Sequence, residues 1–116
     1  MNIYEAMKTT VLNAITQVDL EVVSVRSDER EKKDKDGNGI EVEKFIKIGV
    51  EVPRGNGELS RKRFDVKIVD GVLNVTQSDV DENVYMVKFT NLSISYVDSG
   101  RQEVYFKADG YEMEVA

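Results

Sequence analysis

The 116-residue sequence contains no cysteine and no histidine. The first absence excludes a disulfide framework, a thiolate nucleophile and a thiolate zinc site. The second excludes a Ser-His-Asp triad and an imidazole proton shuttle. An enzyme built from this chain would have to use carboxylates, Lys or Tyr, and none of these stands in a recognisable catalytic motif. No apolar run approaches the roughly 20 residues that cross a bilayer. The start of the chain shows no basic segment followed by an apolar stretch, so a cytoplasmic protein away from membranes is expected. An excess of positive charge is missing as well. There are 16 Lys and Arg against 22 Asp and Glu, which gives a net charge of -6 and a pI near 4.7. That balance argues against wholesale wrapping by nucleic acid.

What is present is patterned. The length suits one domain with one core. Ile3, Met7, Val11 and Ile15 recur every four positions, which predicts a helix over 2–16. Asn2 and Glu5 supply its capping residues. From residue 18 the period changes to two, the mark of a strand. The run 26–36 then holds five acids and five bases, which cancel, so residues 26–39 read as a solvated hairpin arm or loop. "IEVEKFIKIGVEV" is the clearest strand. Ile46, Ile48, Val50 and Val52 share one face with Ile40, Val42 and Lys44. Glu41, Glu43, Phe45, Lys47, Gly49 and Glu51 share the other. Such alternation implies an antiparallel sheet with one wet side. The only proline, Pro53, ends this strand.

A third strand spans roughly 59–69. Asp70-Gly71 signals a tight turn, with "VLNV" as a short return strand. A polar acidic loop leads into the β-rich "VYMVKFTNLSISYV". Two further turn signals precede "RQEVYFKA" and "YEMEV". The expected class is mainly β: a small antiparallel barrel of the OB type over 18–115, with the N-terminal helix against it. A two-sheet sandwich is the alternative.

"DKDGNG", residues 34–39, matches the opening of a calcium loop, with oxygen ligands at Asp34, Asp36 and Asn38 and a glycine at Gly39. The twelfth position of such a loop needs a bidentate acid and here is Phe45. The stretch is therefore read as a hairpin tip, and no metal or other cofactor is expected. Paired acids such as Glu41 and Glu43 lie on a solvent face rather than in a shielded cleft, so they carry no acid–base chemistry.

A binding surface is the better candidate. Basic Lys47, Arg61, Arg63 and Lys67 accompany Phe45 on the wet face of the second and third strands, with Lys62 at its border. Farther on, Lys88, Tyr96, Arg101, Tyr105 and Lys107 mix aromatic and basic groups. Cations neutralise phosphates and aromatic faces stack bases, which together hold single-stranded nucleic acid. The competing interpretation is a set of solvated bases and core aromatics, with the acidic total acting against DNA.

The "DGNG" tip, the strand running into "IGVEVP", the "F-D-V-K-I" spacing and the tail "VYFKADGYEME" resemble small accessory proteins of integrative and conjugative elements of Gram-positive bacteria. The resemblance covers residues 25–115, and Lys107 and Asp109 match the family's tail. It implies a β-barrel factor in replication or transfer of a mobile element, acting on single-stranded DNA as a helicase-processivity helper. The expected function is therefore a non-enzymatic, single-stranded nucleic-acid-binding accessory protein. Its site would comprise Phe45, Lys47, Arg61, Lys62, Arg63, Lys67, Tyr96, Arg101, Tyr105 and Lys107. A helicase or replication protein, and a second copy of the chain, are candidate partners. The alternative is a protein-interaction module that does not bind nucleic acid.

Overall fold

The computed structural model describes residues 12, 13, 15, 19–33, 36, 37, 39–55, 57, 60–98, 100 and 103–116. The expected helix over 2–16 falls almost wholly outside them. Of its apolar positions, Ile15 is described and buried in the core, and Leu12 is described and packs against it.

The chain is mainly β. In order, the elements are β1 (Leu20–Lys33), β2 (Ile40–Glu51), β3 (Arg63–Val69), α1 (Gln77–Glu82), β4 (Tyr85–Thr90), β5 (Ser93–Asp98), β6 (Glu103–Lys107) and β7 (Gly110–Val115). The strands form one curled seven-stranded sheet, a half-barrel, in the order β5-β6-β3-β2-β1-β4-β7. The two-sheet sandwich is not the arrangement. Ile46, Ile48, Val50, Val52, Val66 and Ile68 are essentially inaccessible on the inner face, joined by Leu20, Val22, Val25, Val87 and Phe106. This is the period-two pattern of β2 and β3 realised as burial.

The curl has a local cause. The β1–β2 register runs Val22↔Val50 and then Ser24↔Gly49, so Val23 is an extra residue, a β-bulge. It resets the alternation so that Val22 and Val25 both turn inward, and bulges bend the strand that carries them. A Cβ on Gly49 would lie 2.2 Å from Ser24 Oγ, so the strand opposite the bulge accepts only glycine without a shift. Helix α1 completes the joint. Gln77 Oε1 accepts from Val25 N at 2.9 Å, and Gln77 Nε2 donates to Val23 O at 3.4 Å.

Two expectations for the segment after β3 are corrected. Asp70 does turn the chain, with φ 55°, but residues 72–75 do not return as a strand. β3 is already flanked by β2 and β6, so a return strand would have no edge to pair with. Tyr111 ties the segment down instead: its hydroxyl donates to Val72 O at 2.7 Å and accepts from Asn74 N at 3.1 Å. The acidic stretch that follows is helical rather than a loop. Thr76 and Asp79 form a reciprocal capping box, and Val80 is buried.

The hairpin arm is regular strand. β3 pairs with β2 only from Phe45 to Glu51. Residues 29–33 and 40–44 therefore form a two-stranded ribbon beyond the body of the sheet, reaching about 17 Å at strand rise. Lys33 pairs with Ile40 at the end of the ribbon, and Gly37, between them in the chain, is in the left-handed region at φ 73°.

β4–β7 and β5–β6 share one register, from Tyr85↔Val115 through Thr90↔Gly110 to Ser93↔Lys107 and Ile94↔Phe106. They are the two halves of a single bent hairpin. Asn91, with φ 52°, makes the bend, and its Nδ2 donates to Asp109 Oδ2 at 2.8 Å across it. One half pairs with β1 through Leu20↔Val87, and the other pairs in parallel with β3 through Val66↔Phe106.

Candidate nucleic-acid interface

Residues directly opposite one another in a sheet lie on the same face. Arg26 pairs with Lys47, Lys47 with Lys67, and Lys67 with Lys107. Four cations thus form one row across β1, β2, β3 and β6, on the outer face. At a strand spacing of about 4.8 Å the row spans roughly 14 Å. Like charges directly opposite one another disfavour a sheet.

Phe45 lies beneath this row. It is only 8 % exposed, with Lys67 Nζ 4.5 Å and Lys47 Nζ 5.8 Å from its ring centroid. The ring attracts both ammonium groups through its negative face. Expected as a stacking surface for a base, Phe45 is instead covered and supports the row.

Glu43 binds the row from its arm side. Lys32 and Lys67 both pair with its carboxylate, Lys67 Nζ at 2.5 Å, and Arg30 stands 4.0 Å away. The hydrogen bonds from Lys32 and then Lys67 hold the Glu43 carboxyl down at about 2, from an ordinary 4.5. Arg63, on the same face, is paired with Glu51 at 3.1 Å. Arg26, Lys47 and Lys107 have no ion-pair partner among the described residues.

Beside Lys107 the face ends in two tyrosines. Tyr96 and Tyr105 are register partners on β5 and β6, with ring centroids 6.0 Å apart and planes at 30°. They are 60 % and 40 % exposed. Five other described aromatics turn inward: Phe64 packs on Phe106 at 4.5 Å, and Phe89, Tyr85 and Tyr111 pack against the core.

Among the sequence-predicted site residues, Phe45, Lys47, Arg63, Lys67, Tyr96, Tyr105 and Lys107 therefore share one face. Arg61 and Lys62 do not join them. Both precede β3 at its turn, where Arg61 has φ 66° and the two backbones pair with Val52. Lys88 lies on β4 opposite Glu112, away from the row. Arg101 lies outside the described residues. Arg26 was missed. It belongs to the charge-balanced run, and its membership of the row depends on the bulge-shifted register of β1. No protein-family model matches the chain, and neither does any curated protein or solved structure.

Proposed function

We propose that this chain is a small OB-like barrel protein that binds single-stranded nucleic acid on the outer face of β1, β2, β3 and β6. The observation that carries the proposal is the in-register row Arg26, Lys47, Lys67 and Lys107 running to the exposed Tyr96–Tyr105 pair. A sheet does not place four cations opposite one another for stability, whereas a phosphate backbone crossing the strands would neutralise them. The tyrosines would stack bases at about 1–3 kcal/mol each.

The OB-like assignment draws on strand connectivity. Counting each bent strand once, β1, β2, β3, β6–β7 and β4–β5 follow one another and return to β1. Five strands in a Greek-key ring, with ligands on the face of the second and third, describe the OB arrangement. The resemblance to accessory proteins of conjugative elements agrees with this and suggests the setting: non-enzymatic help to a helicase or replication protein during replication or transfer of a mobile element. With the acidic total, contact would be weak and salt-sensitive.

Fluorescence anisotropy with a labelled single-stranded oligonucleotide tests the proposal. Binding should appear at about 50 mM salt and fade by about 200 mM. Replacing Arg26, Lys47 and Lys107 together by Gln should flatten the logarithmic salt slope by about 2, at roughly 0.7 per cation. Absence of binding at low salt, or an unchanged slope in the triple variant, refutes it.

One observation favours a second reading, a protein-interaction module. Ile40 and Val42 are 67 % and 51 % exposed on the ribbon, on the face that is core elsewhere in β2. A partner covering them would bury apolar surface that a purely nucleic-acid-binding arm leaves wet.

A further inference from the structure

The surroundings of Glu43 differ from those of an ordinary surface ion pair. Its side chain is 11 % exposed, against 42 % for Lys32 and 29 % for Lys67. The two lysines come from different strands, one on each side of β2, and meet on the same carboxylate. Arg30, the register partner of Glu43, is the third cation, 4.0 Å from Oε1. Two ammonium groups and a guanidinium converging on a small oxyanion are the donor set that receives a phosphate. Lys67 also belongs to the cationic row, so this cluster continues the row toward the arm rather than standing apart from it.

We propose that Lys32, Arg30 and Lys67 form a phosphodiester subsite and that the carboxylate of Glu43 is its internal occupant. A nucleic-acid phosphate gains these cations only by displacing Glu43. The free chain keeps the subsite filled, which holds affinity down and reserves tight contact for a ligand already held by Lys47, Lys107 and the tyrosines. The inference rests on the nucleic-acid reading of this face. It goes further in naming the residue that limits affinity and the cations it withholds.

The test is a double-mutant cycle read by oligonucleotide anisotropy. Glu43→Gln releases Lys32 and Lys67. Two added cations should steepen the salt slope by about 1.4, so that between about 50 and 200 mM salt the variant loses about sevenfold more affinity than wild type. At the lower salt it should bind more tightly than wild type. Lys32→Gln lies on the exposed ribbon, where the core does not depend on it. In the wild-type background it should lower affinity and slope less than in the Glu43→Gln background, because Glu43 competes there for Lys32. In the Glu43→Gln background it should remove about half of the added slope. Equal effects of Lys32→Gln in both backgrounds would overturn the subsite, and so would a Glu43→Gln chain that binds as wild type does. In those cases wild-type binding survives and the broader reading stands. If neither wild type nor Glu43→Gln binds at low salt, both fail together.

Discussion

Lys47 and Lys67 stand directly opposite each other on β2 and β3, both with their ammonium groups over the ring of Phe45. Like charges in register oppose strand pairing, and the ring beneath and Glu43 beside Lys67 act against that repulsion. The row departs from the usual cross-strand pairing, on a sheet whose inner face buries Ile46, Ile48, Val50, Val66 and Ile68. Such conflicts between local rule and global fold concentrate at functional positions.

Lys47→Gln should therefore divide the two properties. Removing the central charge relieves its repulsion with Arg26 and Lys67, so urea denaturation should show stability raised by a few tenths of a kcal/mol. Oligonucleotide affinity should fall in the same variant. A stability loss above about 1 kcal/mol would mean that the row is structural.

Tyr96→Ala and Tyr105→Ala should each weaken single-strand binding by about 1–3 kcal/mol with little effect on the salt slope, because stacking releases no counterions. The rings are neighbours, so the double variant should lose less than the sum. Anisotropy titrations at fixed salt measure both effects.

The ion-paired Glu43 makes stability pH-dependent in a defined window. Its folded pKa of about 2 lies below the ordinary 4.5. Its contribution is fully present above pH 4.5 and is lost as pH falls from there through about 2. Thermal melts of wild type and Glu43→Gln should show a constant gap at neutral pH that closes across that acid range. A gap that persists to pH 2 would contradict the pairing.

Gly49→Ala should destabilise the sheet by about 1–3 kcal/mol, since the new methyl meets Ser24 Oγ. The other two contacts, to Asp65 Oδ1 at 3.0 Å and Ser24 Cβ at 3.4 Å, are less severe. Adding Ser24→Ala should therefore restore part of the loss. Chemical denaturation of the two single variants and the double variant decides the matter.

Gln77→Ala should cost about 1–3 kcal/mol, because it leaves Val25 N in the bulge without its side-chain acceptor. Native-state hydrogen exchange should show the Val25 amide losing protection ahead of amides at the centre of β2 and β3. Uniform loss across the sheet would place Gln77 outside the bulge.

Much of this molecule was legible in its sequence, because a strand's side-chain period is local information. The alternation in β2 and β3 assigned Ile46, Ile48, Val50, Val66 and Ile68 to the core and Lys47 and Lys67 to the wet face without any knowledge of pairing. The missing acid at Phe45 and the strand that follows read "DKDGNG" as a hairpin tip. The capping pair Thr76 and Asp79 is equally local and marks helix α1 within the acidic stretch. Register and strand order are long-range properties, and only the tertiary structure decided them. The extra residue at Val23 determines which β1 side chains meet β2, and so brings Arg26 to Lys47. The parallel pairing of β6 with β3 sets Lys107 beside Lys67 although forty residues separate them in the chain. Burial of Phe45 beneath two ammonium groups follows from the same juxtaposition. No pattern within one strand can specify what stands on the next, because cross-strand neighbours are chosen by the packing of the whole sheet.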